Sequence, residues 1–182
     1  MSLVTANDRI PLSKLQPFDL AVAVWTASAA VTIAILAAIV AAPLLQSSGH
    51  WTVASQIYRT FSFLCHQIPE RSFHIAGQQF AVCSRCTGLY AGFTMAILTY
   101  PLFRSLRKTE TPNIIWLFLS ALPLAIDFSL TYFGIWQNNH FTRFITGALF
   151  GTVAAIFILP GVIEISTAIG RWLAKSRATT VW

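Results

Sequence analysis

All three cysteines of the chain fall in one short stretch: Cys65-His66-Gln67, then Cys83-Ser84-Arg85-Cys86-Thr87-Gly88. A Cys-x-x-Cys pair can present two thiolates to one ion, and the upstream Cys-His dipeptide offers two further donors. Cys65, His66, Cys83 and Cys86 are therefore the candidate ligands of one metal ion, zinc first and iron second. Two consecutive residues reach one ion awkwardly, so His74 and His140 stand as alternatives to His66. Three protein ligands with an open position would make a catalytic site, and four a structural one. The pair sits just before an expected helix N-terminus, whose dipole favours thiolate, and Arg85 adds positive charge. Two other readings stay open. A redox or disulfide role suits an oxidising compartment, though the cysteine count is odd. Cysteine is also often simply buried.

The elements that must position this stretch are membrane helices. The chain has 182 residues, 55% hydrophobic and only 10% charged, where a soluble domain carries roughly 25% charged residues. A bilayer core needs about 20 apolar residues per helix. Runs at about 20–44, 87–103, 113–135 and 144–169 meet or approach that length. Residues 51–65 differ. Val53, Ile57, Phe61 and Leu64 share one helical face, and Thr52, Ser55, Arg59 and Ser62 the other. That pattern predicts an amphipathic helix lying at the membrane interface. The expected fold is all-α: an integral membrane bundle of four transmembrane helices, one interfacial helix and a Cys/His loop at 65–86. Residues 20–169 form a single membrane domain between cytosolic tails at 1–19 and 170–182. Gly88-x-x-x-Gly92 and Gly147-x-x-x-Gly151 predict that the second and fourth spans pack closely.

Charge sets the orientation. Four spans place both termini on one side. That side carries Arg9, Lys14, Arg104, Arg107, Lys108, Arg171, Lys175 and Arg177, against Arg59, Arg71, Arg85 and Arg143 on the other. Cytoplasmic loops hold the excess of basic residues, so both termini are expected in the cytoplasm of a prokaryotic inner (plasma) membrane, with the Cys/His loop outside. Asp127 then falls in the outer half of the third span. An acid there is costly, and it is either paired with Arg85 or Arg143 or functional as a ligand, base or proton relay. The net charge of +6 does not point to nucleic acid, because the basic residues cap apolar runs rather than forming a patch with interleaved aromatics. No histidine lies mid-span and no Cys-x-x-Cys-His occurs, so no haem is expected. No phosphate-binding loop or dinucleotide fingerprint is present, so no nucleotide is expected either.

The string Cys65-His66-Gln67-x-Pro69-x-Arg71-Ser72-Phe73, with Gly77 and Cys83-x-Arg85-Cys86-Thr87-Gly88-x-Tyr90-x-Gly92, resembles a family of small prokaryotic membrane proteins, the domain-of-unknown-function 2085 family. Pro123-x-x-x-Asp127 and Arg143-x-x-x-Gly147-x-x-x-Gly151 are similar to its second half. The resemblance covers about 60–151 and implies membrane location and one shared polar site. It groups Arg71, Arg85, Asp127 and Arg143 with the cysteines. Such a site suits an anionic head group or phosphate. The 131–142 loop departs from the family pattern.

Three functions compete at this stage. The first is a membrane protein with a structural, outward-facing metal site. The second is a metal-dependent membrane enzyme acting on an anionic or lipid-linked substrate. The third is an accessory subunit of a larger electron-transfer or photosynthetic complex, motivated by fourteen Phe and six Trp in a short chain. The expected partners are the lipid bilayer and, in the third reading, other membrane subunits.

Overall fold

In lipid a backbone can satisfy its polar groups only within itself, so long apolar runs fold as helices. The computed structural model describes residues 17–107 and 110–179. Arg9, Lys14 and Lys108 of the charge argument lie outside the described residues, as do the side chains of Lys175 and Arg177. The chain runs α1 (Pro17–Ser47), α2 (Trp51–Ser62), a 3-10 turn (Pro69–Arg71), a hairpin of β1 (His74–Ile75) and β2 (Gln78–Gln79), α3 (Ser84–Phe103), α4 (Ile115–Tyr132) and α5 (His140–Thr179). Among the described residues, α1, α3, α4 and α5 are long and apolar enough to cross a membrane.

Helix ends follow local chemistry. α1 and α4 stop at glycines held at positive φ, Gly49 and Gly134. Beyond each, the chain folds back in the same way. His50 N–H donates to the Leu45 carbonyl and Gly49 N–H to Gln46, and Ile135 and Gly134 repeat this on Leu130 and Thr131. This is the Schellman closure, which needs a left-handed residue that glycine adopts without penalty. α5 starts where the Asn139 carboxamide accepts the Thr142 N–H at 2.9 Å, an N-cap bond.

Several boundaries differ from expectation. The stretch 170–182, expected as a tail, continues α5 as far as Thr179. At 1.5 Å per residue α5 is about 60 Å long, twice a hydrocarbon core. The second span ends at Phe103 as expected, with Pro101 in its last turn. α2 ends at Ser62 rather than 65, and its packed face is Ala54, Ile57, Tyr58 and Phe61. Val53 and Leu64, expected on that face, are exposed. α2 packs against α1 and the loop through Ala54, Ile57, Tyr58 and Phe61, which leaves Trp51, Val53, Phe63 and Leu64 outward, as an interfacial helix requires.

The glycine motifs place α3 against α5. A Cβ on Gly88 or Gly92 would overlap the backbone carbonyls of Phe144 or Ala148. One on Gly147 or Gly151 would overlap those of Arg85 or Leu89. Backbones this close give dispersion contact along the whole crossing, which drives association in lipid.

Two helix-interior prolines are used as tertiary anchors. Proline has no N–H, so the carbonyl four residues earlier loses its partner. Pro43 frees the Ile39 carbonyl, and Ala81 N–H fills it at 3.3 Å. Pro101 frees the Ile97 carbonyl, and the Trp25 indole N–H fills it at 2.8 Å, joining α1 to α3. Trp25→Phe should therefore cost about 1–3 kcal/mol through an unsatisfied buried acceptor. In a Pro101→Ala background, where residue 101 regains its N–H, the same change should cost less. Unfolding of the four proteins in detergent checks this. Equal costs in both backgrounds would mean the indole acts only by packing.

Candidate metal and polar site

The loop between α2 and α3 is fixed at both ends by main-chain accounting. Ala81 N–H goes to Ile39, and the Ala81 carbonyl accepts Gln67 Nε2 at 2.7 Å. The same Gln67 amide donates to the Tyr58 carbonyl at 2.7 Å. Gln67 itself is held at φ 50°, a left-handed position that costs a non-glycine residue energy, and its side-chain bonds hold it there. The Tyr58 hydroxyl donates to the Gln79 carbonyl. Burial raises the pKa of that hydroxyl, which keeps it a neutral donor. Ala76 and Gly77, both at positive φ, close the β1–β2 hairpin in the two-residue turn such ribbons prefer.

This frame brings the three cysteines together. The sulfurs of Cys65, Cys83 and Cys86 all lie within 4.8 Å of one another, and all three are free thiols. Cys65 comes from the turn after α2, Cys83 caps α3, and Cys86 lies in the first turn of α3. They rest on a core of Ile39, Ala42, Phe61, Ala81 and Val82, with Tyr90 beside them. A tetrahedral ion with metal–sulfur bonds near 2.3 Å holds its sulfurs about 3.8 Å apart. The observed cluster therefore needs only a small contraction. The Cys83 N–H donates to the Cys65 sulfur at 3.2 Å, the type of second bond that orients a thiolate ligand. Hydrogen bonds from the Cys65 thiol first, then from Cys86, pull the Cys83 pKa well below the usual thiol range.

The histidines fall elsewhere. Among the described residues, the donor group so closely spaced contains the cysteines alone. His66 is exposed while Cys65 beside it is buried. His74 is exposed on β1 and lines an open polar depression with Tyr58 and Gln79. His140 Nδ1 lies 2.8 Å from the Ser84 hydroxyl, and its ring packs on Phe73. Ser84 has one proton and donates it to the Arg71 carbonyl at 3.0 Å. We therefore assign His140 Nδ1 as the donor to Ser84.

A second polar group stands at the same end of the bundle. Arg85 pairs with Asp127, joining α3 to α4, and its guanidinium lies over the Phe128 ring at 5.9 Å. Asn138 Nδ2 donates to Asp127 Oδ2 at 2.7 Å, and Arg143 Nε donates to Asn138 Oδ1 at 2.6 Å. The order is Arg85–Asp127–Asn138–Arg143. Arg71 is exposed on the 3-10 turn, tied in through its carbonyl. Sequence reasoning passed over Asn138, Ser84 and the structural role of Gln67. Asn138 lies in the polar run before α5, and two adjacent asparagines there, one capping the helix, were a usable signal that the other is free to pair.

Helices that could span a bilayer, joined at one end by a thiol cluster and an arginine–carboxylate network, define a helical membrane protein with one polar site. The chain belongs to the family described as predicted membrane protein (DUF2085), whose model matches residues 65–157. That range holds the three cysteines and the whole Arg85–Arg143 network. An uncharacterised protein of Methanocaldococcus jannaschii is 35% identical over 120 residues, covering 65% of this chain and 77% of the relative. One of Methanothermobacter thermautotrophicus is 36% identical over 98 residues, covering 53% and 85%. No solved structure matches the chain.

Proposed function

We propose that the protein is a small integral membrane protein whose Cys65, Cys83 and Cys86 bind one zinc-like ion as a structural staple. The observation that carries this is the convergence of three sulfurs within 4.8 Å from the two ends of one loop. An ion held there joins the turn after α2 to the first turn of α3 and fixes the loop on the bundle end. Among the described residues no fourth Cys, His, Asp or Glu joins this close group, so a fourth ligand would come from a more distant side chain or water. His66 and water compete for that place, and His66→Ala decides between them. Elemental analysis of purified protein should find about one zinc or iron per chain. Oxidised cysteines with no metal would replace this reading by a redox one.

The second reading is a metal-dependent enzyme acting on an anionic or lipid-linked substrate. The group of three donors and the adjacent arginines favour it. Asp127 suits a structural anchor better than a general base, because Arg85 and Asn138 both occupy Oδ2. For membership of a larger assembly, the support is the apolar surface of α4, which lipid contact explains equally well.

We place the site on the outer face of a prokaryotic plasma membrane, with both termini in the cytoplasm. Arg104 and Arg107 at the opposite end of α3 support this orientation. A cysteine introduced at Arg107 should resist a membrane-impermeant thiol reagent in intact cells, and one introduced at Gly77 should react. The reverse pattern would invert the protein.

A further inference from the structure

The thiol cluster leaves the arginines unexplained. Ser84 holds the Arg71 carbonyl on one side and His140 on the other, which fixes the 3-10 turn against the first turns of α3 and α5. Arg85 follows Ser84 directly, and Arg143 lies one turn beyond His140 on α5. Arg85 and Arg143 meet through Asp127 and Asn138, and the Arg71 backbone is tied to Ser84 beside Arg85. Three guanidinium groups are thus gathered at one bundle end, where Asp127 pairs with Arg85. Glu70, next to Arg71, is exposed and makes no such pair.

The hydrogen-bonding capacity of these arginines is mostly unspent. The Arg71 guanidinium meets no protein acceptor among the described residues. Arg143 uses only Nε, and on a neutral carboxamide. Arg85 Nε is buried with no partner. A buried donor without an acceptor is costly, and like charges held close repel. The N-termini of α3 and α5 at the same place add partial positive charge. Three guanidinium groups less one carboxylate leave a formal charge of +2. A divalent ion with three thiolates would contribute −1 and still leave the site positive. A planar fork with several free N–H groups matches a tetrahedral oxyanion well.

We propose that Arg71, Arg85 and Arg143, gathered at the N-termini of α3 and α5, bind a phosphate group, either free or as the head group of an anionic lipid. Asp127 and Asn138 orient Arg85 and Arg143 and are not themselves contacts of the anion. The site stands on the arginine geometry and not on the metal.

The test is calorimetric titration of the full chain in neutral detergent with two probes, inorganic phosphate and short-chain phosphatidylglycerol. At least one should bind, and Arg71→Gln and Arg143→Gln should each weaken binding about tenfold or more. Binding of phosphate assigns a soluble ligand, and binding of the lipid alone assigns a head group. Arg71 is exposed, so Arg71→Gln leaves the fold intact, and unchanged metal content in that variant separates this result from the metal reading. Binding of neither probe, or affinity unchanged in Arg71→Gln, overturns the proposal.

Discussion

Cys83→Ser purified beside the parent protein should retain less than a tenth of its metal and lose on the order of 4 kcal/mol or more of stability. Serine is a poor ligand for a zinc-like ion, and two remaining thiolates cannot close the site. The loss is large because ion binding there is also folding energy: in small zinc domains it is about 10–16 kcal/mol. Here the loop is also held by Gln67, Ala81 and Tyr58. The helices should therefore survive while the 65–83 loop loosens. Cys65→Ser and Cys86→Ser should behave alike, since the three sulfurs form one group. A chelator should reproduce the loss in the parent and add nothing to Cys83→Ser. Parent-like stability and no metal in either protein would return the cysteines to packing or redox chemistry. Thermal unfolding in detergent, with and without chelator, gives both readouts.

The architecture was readable in the sequence to the extent that it depends on periodicity and length. The apolar runs placed four spans, and Gly88, Gly92, Gly147 and Gly151 told which two would touch, because only a missing Cβ permits that approach. The cysteines were readable as one cluster from spacing alone. Boundaries were less so. Basic residues read as a tail because Arg171 and Lys175 are polar, yet a helix can continue through them once the apolar run ends. The second role of Pro101 was not readable, because the carbonyl it frees is filled from seventy-two residues away by the Trp25 indole, which no local pattern reveals. Whether a histidine would join the cysteines was the least legible element. His66 adjoins Cys65 in sequence, but consecutive side chains of a non-helical segment diverge, and the one that packs on Ile39 and Phe61 leaves the other outside. Asn138 was hidden for a related reason. Its partner Asp127 lies across a turn that Gly134 closes, so the pairing is set by the turn and not by spacing.

Asp127→Asn should destabilise the protein by about 3 kcal/mol, toward the lower end of what breaking a buried pair costs. The side chains are 22% exposed for Arg85 and 10% for Asp127, so solvent screens part of the loss. Most of the effect comes from leaving the Arg85 charge without a partner beside Phe128, and less from the lost attraction itself. α4 should respond most. It buries no residue of its own and packs mainly on α5, so Asp127 is its polar tie to both α3 and the turn before α5. The double variant Arg85→Gln/Asp127→Asn removes both charges and should recover part of the loss, giving a coupling of about 1–3 kcal/mol. A cost under 1 kcal/mol in the single variant would place the pair among solvent-screened surface bridges. Phosphate binding adds an independent sign. The carboxamide keeps an oxygen that can orient Arg85 but removes the negative charge beside the arginines, so Asp127→Asn should bind phosphate more tightly even as it unfolds more easily. A general loss of structure moves both quantities down together. Opposite signs therefore require that Asp127 balances a cationic site as well as anchoring a helix.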